Sequence, residues 1–321
     1  MKKMFLYLIA VTVCALIGSG FLQAGEEAPS SAPAKQKVFS NDGEAIGMLL
    51  DALKTSSDEK LIELFGAENR DLLMSKDKVR DASIRKELYL LATEKLVKEH
   101  KGNDKIVFFL GKIKWPFPFP LVKEAAGWRF DSAAGREELL TMEIGKNELN
   151  AIACCRLYVK AQNEYADKDR DTDDVIEYAG KLESSRGKKD GLYWLTDPSK
   201  KEELSPLGPA LAESEKYLAN SRESDPYYGY YFKILTRQGA QAPGGAYDYT
   251  INGNLVAGYA LIAYPSEYGT SGIQTFIVNQ LGKVYHKNLG KDTMKIAGEI
   301  KEYNPDKTWK LVHEKGMLAT D

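Results

Sequence analysis

The sequence predicts an α+β fold in two successive parts, each a helical stretch followed by an antiparallel sheet. Three observations lead there. Apolar residues recur at three-to-four spacing over 42–65 and 79–99, the period of a helix with one buried face. Runs rich in aromatic and β-branched residues follow between 105 and 131. A second amphipathic stretch then precedes four or five further strand-type runs between 230 and 287.

At the N-terminus, Lys2 and Lys3 precede an apolar run from Met4 to Ile17, and small residues follow at Gly18-Ser19-Gly20 and Leu22-Gln23-Ala24. This is the layout of a cleaved secretory signal over 1–24, shorter than the about 20 apolar residues a membrane span needs. An uncleaved anchor and a lipid attachment at Cys14 are the rival readings. Residues 25–37 carry little that can be buried and read as a flexible leader. No later segment is apolar for long enough to span a bilayer. The expected location is the periplasm or cell envelope of a bacterium, and the remaining sequence is long enough for two cores, 38–135 and 136–321.

In the first part, Ile46, Leu49, Leu50 and Leu53 form one helical stripe. Ser57-Asp58 interrupts it, and Leu61, Leu64 and Phe65 resume it. Asp42 is the expected N-cap. Ile84, Leu88, Leu91, Leu96 and Val97 mark a second helix over 79–99. Strands are expected at 105–112 and from Gly127 to Asp131. Between them, prolines at 116, 118 and 120 predict an edge strand or a polyproline-like segment. In the second part a long helix begins near Arg136 or Asn147. Ala151, Cys155, Tyr158, Gln162 and Tyr165 fall on one stripe, widened by Ile152, Val159 and Ala166, which suits a helix lying on a sheet. The strands are expected at Tyr230–Thr236, Ala246–Ile251, Asn254–Tyr264, Ile273–Asn279 and Lys283–Lys287. Asn252-Gly253 and Gln280-Leu281-Gly282 serve as hairpin turns. A last helix, about Asp292 to Tyr303, stops before Pro305.

Lys and Arg number 44 against 46 Asp and Glu, a formal net charge of −2. No basic block stands out, which disfavours nucleic acid and anionic membrane surfaces as partners. After Cys14 only the adjacent Cys154 and Cys155 remain, and helical geometry points their thiols apart. They read as small residues beside a packed face, with a redox, metal or intermolecular role as the rival. The fold is therefore expected not to depend on disulfides.

Three resemblances accompany this reading. The break within Asp51–Phe65 and the strand Gly127-Trp128-Arg129-Phe130 resemble the NTF2-like cone fold. The string Asn147-Glu148, Ala151-Ile152, Arg156, Ala161-Gln162 and Tyr165 is similar to the globular part of type IV pilins and pseudopilins. Tyr230-Tyr231-Phe232, Ala263-Tyr264-Pro265, Gly269-Thr270-Ser271-Gly272 and Gly282-Lys283-Val284-Tyr285 continue that likeness. It implies a helix across an antiparallel sheet. It does not imply filaments, because no apolar half-helix precedes Asn147. Finally, Trp115-Pro116-Phe117-Pro118, Gly191-Leu192-Tyr193-Trp194, Ser205-Pro206-Leu207-Gly208-Pro209 and Ala242-Pro243-Gly244-Gly245 resemble a bacterial family termed domain of unknown function 2950. That likeness runs from about residue 40 to 312 and brings no activity with it.

The clearest chemical pattern is Asp167-Lys168-Asp169-Arg170-Asp171-Thr172-Asp173-Asp174-Val175-Ile176-Glu177. Alternate carboxylates on a tight loop can converge on a hard cation, and Ca2+ takes about six to eight oxygens. Asp169, Asp171, Asp173 and Glu177 would be the ligands, at loop positions one, three, five and nine. Against this, Asp174 stands where the turn wants Gly, Gly180 stands where the last ligand would be Glu, and Lys168 and Arg170 neutralise part of the charge. A solvated acidic turn is the plainer reading. The pseudopilin likeness adds the implication that such a loop can bind calcium.

Trp115, Phe117, Trp128 and Phe130 are candidates for a ligand or partner surface, or for the lining of an apolar cavity in the first part. Inward packing of Trp115, Phe117 and Phe119 on one strand face is the alternative. The Gly-rich stretch 241–249, which contains Tyr247, reads as a turn needing positive φ and, less simply, as a binding loop beside Tyr228 and Tyr268. His100, expected at a helix end, His286 and His313 stand apart from any nucleophile elbow or zinc-ligand spacing. The sequence thus favours a non-catalytic envelope scaffold or interaction module. A small-molecule or peptide binder using the first part, and a hydrolase with a carboxylate pair, are the alternatives.

Overall fold

A computed structural model describes residues 36–75, 77–196, 202–208 and 226–313. The expected signal segment and most of the leader lie outside the described residues. The fold is α+β, in two compact units that divide between Lys146 and Asn147. Among the described residues no helix is long and apolar enough to cross a membrane.

The first unit opens with α1 (Asp42–Thr55) and α2 (Asp58–Phe65). Ser56 turns left-handed and the Ser57 hydroxyl accepts the Lys60 N–H, so the interruption read at Ser57-Asp58 is one helix ending and a freshly capped one beginning. The cap of α1 is Asn41, not Asp42: Asn41 accepts the Glu44 N–H at 2.9 Å. Asp42 sits in the first turn, where its charge suits the helix dipole, and pairs with Lys98 at 2.7 Å. A short α3 (Arg70–Leu73) leads to α4 (Lys78–Glu94).

The helix expected to reach residue 99 stops at Glu94. Lys95 is already extended, and Leu96 and Val97 belong to β1 (Leu96–Lys101), paired residue by residue with β2 (Lys105–Leu110). Apolar residues at 96 and 97 continue the helical period by coincidence, and pairing with the downstream strand overrides it. His100 consequently lies in a strand, opposite Ile106, and not at a helix end.

Two further strands, β3 (Trp115–Glu124) and β4 (Gly127–Phe130), complete a sheet in the order β1-β2-β3-β4. The proline-rich segment is therefore an interior strand, contrary to the edge position expected. The register with β2 slips between Phe117 and Leu121, and β4 pairs only with Leu121 to Glu124. The stretch bearing Pro116, Pro118 and Pro120 thus keeps one side without a ladder, so the missing N–H groups interrupt no pairing there. The odd positions point inward. Trp115, Phe117 and Phe119 are buried together with Phe65, Phe108 and Phe130. Phe65 lies at the centre, its ring 4.4 Å from that of Phe119 and 5.2 Å from that of Phe130.

The helix α5 spans Ser132–Tyr165. Leu139 and Met142 belong to the first core, which is why the units divide inside this helix and later than residue 135. Beyond Asn147 the stripe Ala151, Ile152, Cys155, Tyr158, Gln162 and Tyr165 is buried as read from the sequence. It meets a five-stranded antiparallel sheet. The strands of that sheet are β5 (Tyr230–Leu235), β10 (Ala260–Pro265), β11 (Gln274–Asn279), β12 (Tyr285–Asn288) and β13 (Lys310–Leu311). Their order across it is β13-β12-β11-β10-β5. The contact is specific as well as apolar. Tyr158 donates its hydroxyl to the Ala260 carbonyl, and Tyr259 donates to Asn163 at 3.0 Å.

Between β5 and β10 the two long strands expected on either side of Asn252-Gly253 are broken into short pieces. These are β7 (Tyr247–Asp248), β8 (Thr250–Ile251) and β9 (Asn254–Leu255), with β6 (Arg237–Gln238), outside the expected strands, pairing with β7. The hairpin turn itself is where the dipeptide places it. The last helix, α6 (Thr293–Glu299), is shorter than expected and packs on β10. Lys233 of β5 closes its end by donating to the carbonyls of Ala297, Gly298 and Ile300.

Candidate functional site

The acidic segment follows α5 directly. Asp169, Asp171 and Asp173 each bring a carboxylate oxygen within 4.8 Å of the others. Backbone conformation makes this possible: Thr172 and Asp174 are both left-handed, with φ of 67°. Asp tolerates that region better than most residues, so Asp174 fills the place where the sequence pattern wanted Gly. Asp169 fastens the turn by accepting the N–H groups of Thr172 at 2.8 Å and Asp174 at 3.0 Å.

The two basic residues of the segment face elsewhere. Lys168 pairs with Glu203 at 2.7 Å, and Arg170, which is almost wholly buried, reaches Glu203 at 3.3 Å and donates to the Tyr165 carbonyl. Lys189 completes the group at 2.9 Å. Although partial burial opposes its charge, Glu203 is held down to about 2 by Lys168 and Lys189. Lys168 and Arg170 therefore do not neutralise the acidic loop as their interleaving suggests. Among the described residues, no Lys or Arg pairs with Asp169, Asp171, Asp173 or Glu177.

Glu177 is not one of the three carboxylates that come within 4.8 Å of one another. Its carboxylate accepts the Leu255 N–H at 2.7 Å. Asn254 donates to Asp173 at 3.2 Å, and the Tyr178 N–H donates to the Leu255 carbonyl. The β8–β9 hairpin is thus strapped onto the acidic segment. Burial and the charges of Asp173 and Asp169 push the Asp171 carboxyl above its ordinary range. Burial raises Glu177 too, with Asp171 and Asp173 adding to it against the Leu255 N–H. Asp169 moves the other way: desolvation is the largest single influence on it, but the Thr172, Asp174 and Asp173 N–H groups together outweigh it. Like charges are thus held close together with no Lys or Arg paired to them among the described residues.

The aromatic candidates separate. Trp115, Phe117 and Phe130 belong to the core, and Trp128 is half-buried beside Phe39 and Lys123. Trp115 and Phe117 do line a cavity, with Leu49, Leu53, Phe119 and Arg85, but it holds only about 50 Å³, room for a few waters. Tyr228 and Tyr268 lie on loops that meet through the Ser266 N–H and the Gly229 carbonyl. Tyr247 packs instead on Tyr249 and accepts from Gln280. The Gly-rich stretch is a turn with Gly244 and Gly245 at positive φ, held by Gln238 donating to the carbonyls of Pro243 and Gly245. Burial pushes the Cys154 thiol up to about 12 and Cys155 higher still, which keeps both as thiols.

Sequence reasoning missed Glu203, Asn254 and Glu148. Nothing in their neighbourhoods marks the first two, since their roles arise from distant segments brought together by folding. Glu148 is a buried carboxylate on α5 that accepts the N–H groups of Ile273 and Gln274, both at 3.0 Å. Burial raises it despite those two donors. Its charged form is thus disfavoured in the folded state, and stability declines as pH rises from the usual carboxylate range through the folded value. Glu148→Gln keeps an acceptor for both N–H groups and removes the charge. We expect it to be at least as stable as the parent at neutral pH, with a flatter dependence between mildly acidic and neutral pH. Denaturation midpoints across that range check this, and a uniform loss at every pH would contradict it.

Fold and loop together define a two-unit α+β protein with a strapped acidic turn. Residues 36–312 match the model of the family described as protein of unknown function, DUF2950, and the chain belongs to that family. No curated protein and no solved structure matches it.

Proposed function

We propose that this protein is an exported, non-catalytic interaction module of a bacterial envelope, and that its second unit binds a hard divalent cation of the Ca2+ class through Asp169, Asp171, Asp173 and Glu177. One observation carries the cation reading: Glu203 draws off Lys168 and Arg170, so the carboxylates of Asp169, Asp171 and Asp173 converge with no basic partner among the described residues. Export rests on the N-terminal pattern of Lys2, Lys3 and the apolar run to Ile17. The finer fold likenesses belong to the same proposal. A helix laid across an antiparallel meander supports a pilin-like second unit. Helices preceding a bent four-stranded sheet support an NTF2-like first unit.

The alternatives have less to stand on. A ligand pocket usually offers about 300–1,000 Å³; the first unit holds the cavity of about 50 Å³ and a second of about 250 Å³ lined by Phe108, Phe117, Pro118 and Glu138, both below that range. A carboxylate hydrolase sets its pair about 5–9.5 Å apart around the scissile bond, whereas Asp169, Asp171 and Asp173 bring carboxylate oxygens within 4.8 Å of one another, closer than such a pair.

Calorimetric titration with Ca2+ tests the cation reading. The parent is expected to bind with a single stoichiometric site and Asp171→Asn to lose most of that affinity. Because the cation competes with protons for Asp171 and Glu177, the gain in melting temperature on adding Ca2+ should be full at neutral pH and fade as pH falls through their raised values. No heat with the parent, together with no change on Asp171→Asn, would dispose of the reading.

A further inference from the structure

The sequence has one Asn-Gly dipeptide, Asn252-Gly253, and it forms the tip of the β8–β9 hairpin. Both residues are exposed and both have positive φ, 53° for Asn252 and 97° for Gly253. A Cβ added at Gly253 would meet nothing within 4 Å, so the turn has open space on that side. Neither the Asn252 carboxamide nor the Gly253 N–H makes a hydrogen bond with the described residues. The hairpin is held by two register pairs, Thr250 with Leu255 and Ile251 with Asn254, so little resists a local change of backbone angle. Glycine also removes the Cβ that elsewhere hinders the approach of the following peptide nitrogen to the asparagine carboxamide.

We propose that Asn252 is a site of spontaneous covalent modification, with water as the only co-reactant. The Gly253 backbone nitrogen gives up its proton to solvent and forms a bond to Cγ of Asn252. The Cγ–Nδ2 bond of Asn252 breaks and ammonia leaves, producing a five-membered cyclic imide. Water then opens the imide at either carbonyl, giving aspartate or isoaspartate. The net change is one amide and one water converted to one carboxylic acid and one ammonia, with no oxidation or reduction.

Its position gives the modification a structural consequence. Asn254 donates to Asp173 and the Leu255 N–H donates to Glu177, so this hairpin is the strap across the acidic segment. Isoaspartate inserts a methylene into the backbone of a two-residue turn, and either product places a negative charge two residues from the contact with Asp173. Both effects loosen the strap, and neither depends on whether a cation binds there.

The test ages the full-length protein in mildly alkaline buffer and follows it by peptide mass spectrometry, with the isomers separated by chromatography. Exposed Asn103, followed by Asp104, serves as the internal comparison. Deamidation at Asn252 is expected several-fold faster than at Asn103, with both aspartate and isoaspartate products. Amide exchange at Leu255 should accelerate in the aged material and stay unchanged in Asn252→Gln aged in parallel. Equal rates at Asn252 and Asn103 would overturn the assignment of the site. Aged protein with unaltered exchange at Leu255 would overturn its link to the strap.

Discussion

Phe65→Ala is expected to destabilise the first unit by about 3–5 kcal/mol, the range for removing a large aromatic group from a packed core. Phe65 is 2% exposed and touches the rings of both Phe119 and Phe130, so the void would open where α2 meets the sheet. The neighbouring cavity of about 50 Å³ would merge with it, and the surrounding aromatic rings can collapse only partly. A change of this size is a large fraction of a typical domain's stability. Denaturant unfolding with a probe in each unit checks it. The first unit should lose most of its midpoint, while the second keeps its own. A cost below about 1 kcal/mol would mean that the rings do not pack as described.

Glu203→Ala carries the second large effect, and it reaches the acidic loop. The Arg170 side chain is 6% exposed and Glu203 is its carboxylate partner, so removing that partner leaves a buried cation with only the Tyr165 carbonyl and ring beside it. Breaking a buried pair in this way costs about 3–5 kcal/mol, and the partial exposure of Glu203 sets the expectation toward about 3 kcal/mol. Lys168 and Lys189 lose their counter-charge at the same time. Lys168 then becomes free to neutralise the adjacent aspartates, so divalent affinity should fall even though no ligand was touched. Glu203→Asp, which keeps the charge on a shorter stem, should recover part of both losses. Unfolding midpoints and Ca2+ titrations on the two variants separate the effects. A stability loss with unaltered affinity would show that Lys168 plays no part in keeping the loop acidic.

The architecture was readable where local signals and burial agree. The pause at Ser57-Asp58 carries a cap and a change of phase, and it is a helix boundary in the fold. The stripe from Ala151 to Tyr165 is long enough for its period to be unambiguous, and its residues face the sheet. Errors arose where pairing decides. Leu96 and Val97 extend a helical period by chance and are taken by a strand. The prolines of β3 argue correctly against a ladder on one side, yet the strand is interior because β4 starts beyond them.

The acidic turn was legible in the sequence as a run of alternating carboxylates, and its charge balance was not. Spacing alone groups Asp169, Asp171, Asp173 and Glu177, since alternation on a tight turn is a local property. Where Lys168 and Arg170 point depends on Glu203, which folding brings to them from beyond the loop. The strap from Asn254 and Leu255 depends likewise on a hairpin far along the sequence. Sequence pattern records which groups are neighbours along the backbone, and these contacts are near only in space.

A crystal structure of the protein soaked in Ca2+ tests the proposed centre most directly. The account predicts a strong density peak between Asp169, Asp171, Asp173 and Glu177, with oxygens at about 2.3–2.6 Å, and the β8–β9 hairpin still strapped across the loop. Carboxylates spread into solvent, with no peak among them at saturating Ca2+, would contradict it.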